Sequence, residues 1–257
     1  MPYALITGAS GGIGLAIARE LASRKHDVLL VARSGDKLSA AVDAIKKDFG
    51  VSASYLSLDL ELPDAVAKVF AWVNQNGFEV SILINNAGYA SWGTVKDVPT
   101  EEFLGMMQLN MVTLAGMCKT FMPHLERHKK SYILNIASTA AYQAVPTLTT
   151  YAATKAFVLL FTRGLSREMA GTPVSVSCLS PGPTSTGFID RARLGIIKDR
   201  AEKFSMTPEA VAKTAVSGML AGKMEIIPGF TNWLSSKLAE IVPKGIPEGI
   251  ARNLYKV

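Results

Sequence analysis

From its first residues the chain alternates short apolar runs with longer amphipathic stretches, and this alternation constrains the fold more than any other feature. "YALIT" (3–7) precedes "GIGLAIARELASRK" (12–25), where Ile13, Ile17 and Leu21 fall on one helical face. The pattern repeats. Runs at 27–32, 52–58, 80–86, 131–138 and 173–181 are each followed by a helical or loop segment, the helices being placed at 36–49, 62–75, 101–128, 150–170 and 207–222. A last short strand is expected at 224–228. Strands this apolar, separated by helices, predict a parallel sheet buried on both faces. Right-handed crossovers then make a doubly wound α/β fold of about seven strands. No long linker, low-complexity tract or internal repeat interrupts the 257 residues, so one domain over 1–257 is expected. Segment 183–206 is the least regular and is expected to form a lid.

Hydrophobic residues make up 49% and charged residues 19%, a balance that excludes a disordered chain. No apolar run approaches the roughly 18 residues of a membrane-spanning helix. With a strand from residue 3, no cleavable leader is expected. The net charge of +6 raises the question of a nucleic-acid partner, but the densest basic cluster, "ERHKKS" (126–131), is short and lacks aromatics. It reads as a solvated helix end, where cations are favoured, and no nucleic acid is expected. Cys118 and Cys178 stand alone, and His26, His124 and His128 have no metal-ligand spacing. The chain reads as reduced, cytoplasmic and metal-free.

The first strand runs directly into "TGASGGIG" (7–14) and then a helix. Glycines there allow a tight turn and close backbone approach to a pyrophosphate, and the helix N-terminus supplies free N–H groups. The spacing G-x-x-x-G-x-G differs from the commoner dinucleotide fingerprint. Further along come "NNAG" (85–88), Asn110 in "QLNMVT", Ser138, "YAATK" (151–155) and "PGPTST" (181–186). In this order and at these spacings the chain resembles the short-chain dehydrogenase/reductase family over essentially its whole length, nearest to bacterial reductases of unassigned substrate and to 3-oxoacyl and hydroxysteroid reductases. The resemblance implies a Rossmann-type domain and an oxidoreductase.

It also implies a nicotinamide cofactor, held by Gly8, Ser10, Gly11, Gly12, Ile13 and Gly14 of the first turn. Asp59 and Leu60 follow the third strand, Asn86, Ala87 and Gly88 the fourth, and Pro181, Gly182, Thr184 and Thr186 the sixth. The end of the second strand selects between cofactors. An acidic residue about 20 positions after the glycines would hold the ribose 2′-hydroxyl of NAD. This chain has Arg33 19 positions after Gly14, followed by Ser34, a pairing suited to a 2′-phosphate. NADP(H) is the expected cofactor.

Tyr151 and Lys155 are four residues apart and so share a helix face. A phenol near pKa 10 is a poor proton donor and base at neutral pH unless its anion is stabilised. Lowering it by two to three units requires roughly 3–4 kcal/mol, within reach of an ammonium one turn away in a partly dry cleft. The family's pattern makes Tyr151 the general acid/base, has Lys155 hold the nicotinamide ribose and lower the tyrosine pKa, and has Ser138 polarise a carbonyl. Asn110, a poor helix-interior residue, is expected to hold a water behind Lys155. The alternative is a scaffold that senses NADP(H) and acts through partners.

Pocket walls are expected from Tyr89, Ala90, Trp92, Ala140, Ala141, Tyr142, Val145, Phe188 and Leu194, a mix that suits a lipophilic ketone, aldehyde or secondary alcohol. Arg191 and Arg193 are the cations that could turn toward a carboxylate. Helices 101–128 and 150–170 carry more apolar residues than two-layer packing requires, among them Met106, Met107, Met111, Met117, Phe121, Met122, Phe157, Leu159, Leu160 and Phe161. In the family these helices pair with their copies, so a homodimer or homotetramer is expected. The tail, 230–257, places Phe230, Trp233, Leu234, Leu238, Ile241 and Val242 at helical steps, and Pro247 opens a second short helix. Docking of this stripe on the protein is favoured over contact with a membrane surface.

Overall fold

The computed structural model of the chain describes residues 2–185 and 205–255. Its strands are β1 (Tyr3–Thr7), β2 (Asp27–Ala32), β3 (Ala53–Ser57), β4 (Val80–Asn85), β5 (Ser131–Ile136), β6 (Val174–Leu179) and β7 (Glu225–Ile226). They form one sheet in the order β3-β2-β1-β4-β5-β6-β7, with every pairing parallel. All residues of β4 and β5 are buried, as strands covered on both faces must be. The order reverses direction between β1 and β4, the switch point where doubly wound sheets leave a crevice beyond their carboxyl ends.

One face of the sheet carries α1 (Gly12–Ser23), α2 (Gly35–Phe49) and, later in the chain, α7 (Pro208–Leu220). Ile17, Leu21, Leu38, Ile45, Val211 and Met219 close that core against Ile6, Leu30 and Leu134. The other face carries α3 (Ala65–Gln75), α4 (Thr100–Met107), α5 (Leu114–Leu125) and α6 (Thr149–Glu168). There Val69, Val73, Met117, Phe121, Val158 and Leu159 pack on Leu5, Leu83 and Ile133. The basic cluster leaves α5 as a largely exposed turn over 126–130, and Ser131 is already the buried first residue of β5.

Three expectations need correction. First, 101–128 is not one helix: α4 passes through a π-helical turn, Gln108–Thr113, before α5 begins. Buried side chains brace that wider turn. Thr113 Oγ1 donates to the Leu60 carbonyl at 2.8 Å, and Asn110 is wholly buried. Second, part of the apolar surplus assigned to these helices is core, since Met106, Met117, Phe121 and Leu159 are buried. The residues that face outward are Leu104, Val112, Phe157 and Leu160, the last 72% exposed.

Third, the tail docks by the wrong face for its pattern. It forms α8 (Phe230–Ile241) and α9 (Gly245–Tyr255). Ser236 and Ala239 are the buried residues of α8. Its apolar stripe points away: Phe230 is 73% and Ile241 80% exposed, with Leu234 and Leu238 between them. Pro247 lies inside the first turn of α9 rather than opening it. No helix among the described residues is long and apolar enough to cross a membrane. Of the expected lid, 186–204 lie outside the described residues, and with them Thr186, Phe188, Arg191, Arg193 and Leu194. Its two ends meet, Ser185 N–H donating to Met206 O at 3.0 Å and Met206 N–H to Pro183 O at 3.1 Å.

Candidate active site

At the switch point one hydroxyl joins the two central strands. Thr7 Oγ1 donates to the Ile84 carbonyl at 3.3 Å and accepts from the backbone N–H groups of Asn86 and Ala87 at 2.9 and 3.0 Å. Asn86 returns the contact, its Nδ2 donating to the carbonyls of Thr7 at 2.9 Å and Gly8 at 3.2 Å. The "NNAG" turn therefore holds the glycine turn in place, a bracing role that the motif alone did not suggest.

Two glycines are dictated by this brace. Gly8 sits at φ +67°, and a Cβ there would lie 2.8 Å from Asn86 Nδ2. A Cβ on Gly14 would lie 2.5 Å from Gly8 O and 2.4 Å from Asn86 Nδ2, so α1 can approach the turn only with hydrogen at that position. Gly14 thus packs beneath the turn, whereas Gly8, Ser10, Gly11, Gly12 and Ile13 line a cavity of about 740 Å³. No side chain caps α1, leaving its first amides available to an anion.

The same cavity reaches the end of β2, where Arg33 and Ser34 line it. Arg33 lies loosely between two carboxylates, 3.7 Å from Asp59 and 3.6 Å from Glu61, and is half exposed. Lys37, one turn into α2, also lines this end. Sequence reading passed it over, although its place four residues after Arg33 was the available signal. Asp59, Leu60, Asn86, Ala87 and Gly88 line the middle of the cavity, and Pro181, Gly182 and Thr184 its far wall. A Cβ on Gly182 would lie 2.4 Å from the Asn232 amide, so α8 presses directly on this segment.

Ser138, Tyr151 and Lys155 meet at the deep end. Ser138 is the N-cap of a short 3₁₀ helix, Thr139–Tyr142, where its Oγ accepts from Ala140 N–H. Its own proton stays available for donation. Tyr151 lies in the first turn of α6 and is 8% exposed. Lys155, one turn on, has its Nζ 5.8 Å from the Tyr151 ring centroid and donates to Ile136 O at 2.8 Å. Burial pushes the Lys155 amine down to about 8, against a small opposing influence from Cys178.

Asn110 does not line the cavity; it stands behind it. Its Nδ2 donates to Tyr89 O and to Thr154 Oγ1, both at 3.0 Å, and its Oδ1 accepts from Tyr89 N–H. Both donor hydrogens are committed, so the side chain ties the loop after β4 to α6, and only acceptor capacity remains for a water. Gly88 is needed here as well, since a Cβ would lie 2.8 Å from Asn110 Oδ1.

The substrate walls differ from expectation. Ala140, Tyr142 and Val145 line the cavity, but Tyr89, Ala90, Trp92 and Ala141 do not. Tyr89 is turned away, its hydroxyl donating to Glu102 O. The missing wall comes from the tail: Ser236, Ala239, Ile250 and Ala251 complete the lining. Nothing in local periodicity signals that, because the contacts link residues about a hundred positions apart.

A profile described as short chain dehydrogenase matches residues 2–195. The very-long-chain 3-oxoacyl-CoA reductase-B of Danio rerio is 32% identical over 242 residues, covering 86% of this chain and 77% of the relative. A short-chain dehydrogenase from Sphingobium yanoikuyae, solved in complex with NADPH, superposes with a TM-score of 0.82 at 28% identity, over 95% of this chain and 96% of that one. A 7beta-hydroxysteroid dehydrogenase superposes with a TM-score of 0.86 at 25% identity, over 98% and 96% of the two chains. With the glycine turn, the switch-point crevice and the serine–tyrosine–lysine cluster in one cavity, this chain belongs to the short-chain dehydrogenase family.

Proposed function

We propose that the protein is an NADPH-dependent oxidoreductase that interconverts a lipophilic ketone or aldehyde and its alcohol. One observation carries the reading: a single cavity joins the glycine turn and the cationic end of β2 to Ser138, Tyr151 and Lys155. The cradle fits a dinucleotide, because the open space where Gly11 lacks a side chain and the uncapped start of α1 leave backbone N–H groups for a pyrophosphate. Arg33, Ser34 and Lys37 would hold a 2′-phosphate. The NADPH complex of the Sphingobium relative supports the same cofactor. When bound, NADP(H) supplies or accepts the hydride.

The protein's own groups handle the proton. The Ser138 hydroxyl donates a hydrogen bond to the carbonyl oxygen and orients it, keeping its own proton. Tyr151 delivers a proton to that oxygen in reduction and recovers it in oxidation. Lys155 places positive charge near the phenol and favours the tyrosinate. Asn110 holds the scaffold behind Lys155. The Ala140, Val145, Leu148 and Ala239 walls favour apolar substrates, in keeping with the oxoacyl and steroid names of the relatives. The exposed faces of α4 and α6, with Leu104, Phe157 and Leu160, would pair with a second copy.

NADPH oxidation, followed by absorbance across a panel of ketones and aldehydes, tests the activity. Binding of NADPH without turnover of any carbonyl would instead favour a sensing scaffold. Wild type should prefer NADPH over NADH by at least about tenfold in kcat/KM, or 1.4 kcal/mol. Arg33→Asp should erase or reverse that preference; equal use of both cofactors by wild type would sink the assignment. Tyr151→Phe should keep NADPH binding while lowering turnover by about 10²-fold or more, the scale of a lost general acid.

Lys155 should also leave a signature in stability. Its folded-state value lies below the ordinary lysine value of about 10.4, so between about pH 8 and 10.4 the unfolded chain binds more protons. Stability from this group therefore rises with pH across that window and is lost as pH falls through it. Lys155→Met should be more stable than the cofactor-free wild type near pH 7, with the gap closing toward pH 10. A pH-independent difference in denaturation midpoint would contradict the assignment. Light scattering at micromolar concentration should show at least a dimer, and Leu160→Arg should shift it toward monomer; a monomeric wild type would rule out the proposed pairing.

A further inference from the structure

The tail helix α8 is fastened to the sheet by charge rather than by its apolar stripe, and the fastening runs into the active site. Glu225, on the edge strand β7, accepts from Lys237 at 2.9 Å and from Arg163 at 3.1 Å. Glu240 accepts from the same two cations, at 3.0 Å from Lys237 and 2.8 Å from Arg163. Two cations and two carboxylates balance, so the quartet is neutral as a whole. It is also sheltered, with Glu225 the most enclosed member at 15% side-chain exposure.

Glu225 has one further partner. The Tyr142 hydroxyl donates to Glu225 Oε1 at 2.8 Å, and Ser180 Oγ lies 3.2 Å from the same phenol oxygen. Burial, and secondarily the carboxylate, push the Tyr142 phenol up from its ordinary range. The phenol is thereby held in its protonated, donating form, and its bond to Glu225 is charge-assisted. Tyr142 is the last residue of the 3₁₀ turn that Ser138 caps and is itself a wall of the cavity. Arg163 lies two turns beyond Lys155 on α6. One carboxylate thus touches the serine's turn, the tyrosine–lysine helix and the tail.

We propose that Glu225 is a positioning residue for the substrate half of the site: it holds Tyr142 as a wall and makes that wall depend on the docked state of α8. The proposal rests on the carbonyl-reductase reading above but differs from it in what fails. Glu225 touches neither the glycine turn nor the residues around Arg33, so the groups that would hold the pyrophosphate and the 2′-phosphate should be spared.

The test compares wild type, Glu225→Gln, Tyr142→Phe and the double variant, as full-length protein at saturating NADPH. Glu225→Gln should raise KM for the carbonyl at least about fivefold, with kcat changed less and NADPH affinity within twofold. Tyr142→Phe should act in the same direction. In the double variant the losses should not multiply, because both singles break one coupled contact. Glu225→Asp should recover part of the KM loss. A second measurement needs no substrate: in the NADPH-bound protein, Glu225→Gln should speed amide hydrogen exchange in both 139–142 and 230–241. If Glu225→Gln does not fold, Lys237→Met and Glu240→Gln, which loosen the quartet from the tail side, should give the same KM rise and exchange pattern. A KM within twofold of wild type, multiplying losses in the double variant, or faster exchange confined to the tail would each overturn the proposal. Absence of turnover in wild type would defeat the reductase reading, and exchange would still decide the coupling.

Discussion

The site depends first on the brace between Thr7 and Asn86. A parallel sheet ends each strand in carbonyls and amides with no ladder partner, and at the switch point two such ends diverge. Here the Thr7 hydroxyl takes two amides from the β4 turn and Asn86 takes two carbonyls from the β1 turn. With the Ile84 carbonyl, to which Thr7 donates, five backbone groups are met by two side chains. With net contributions of about 1 kcal/mol per hydrogen bond, the gain in stability is modest. The gain in position matters more, because every backbone amide offered to a phosphate is set by where this brace holds Gly8 and Gly14.

The deep end relies on a different device. An asparagine inside a helix is ordinarily a liability, since its amide competes with the backbone. At Asn110 the helix yields instead, widening to a π-helical turn, a departure common at functional positions. The side chain spends its donors on Tyr89 and Thr154, and so connects the loop after β4 to the helix that carries Tyr151 and Lys155. Lys155 gains from this rigidity. A buried amine with a carbonyl partner has little freedom, and its burial lowers its pKa.

Most of this was legible in the sequence. Strand positions, the doubly wound class and the glycine turn follow from local patterns, and the gathering of Arg33, Ser138, Tyr151 and Lys155 follows from the resemblance to the short-chain dehydrogenase/reductase family. What was not legible involved residues far apart in the chain. The periodicity of 230–242 gave a helix correctly but its orientation wrongly, because an apolar stripe is assumed to face inward. The helix is instead held by small residues, Ser236 and Ala239, and by ion pairs to Arg163 and Glu225. Pairs of that kind have no period. The same limit misplaced the pocket wall, assigned to Tyr89 and Trp92 but supplied by Ala239 and Ile250.

The cationic end of the cavity shows how such pairs shape selectivity. Arg33 is half exposed and sits 3.6–3.7 Å from Asp59 and Glu61, distances longer than a good ion pair. Contacts of this type contribute about 0–1 kcal/mol each. A phosphate offers two charges and several acceptors, and a charged hydrogen bond is worth roughly 1.5–3 kcal/mol. On the proposed reading, a 2′-phosphate would draw Arg33 from the carboxylates at small cost, with Lys37 and the start of α2 beside it. A cofactor lacking the 2′-phosphate would leave Arg33 between its carboxylates. Discrimination at this end would then be a gain for NADPH rather than an exclusion of NADH, its size set by what the arginine forms and not by what it blocks.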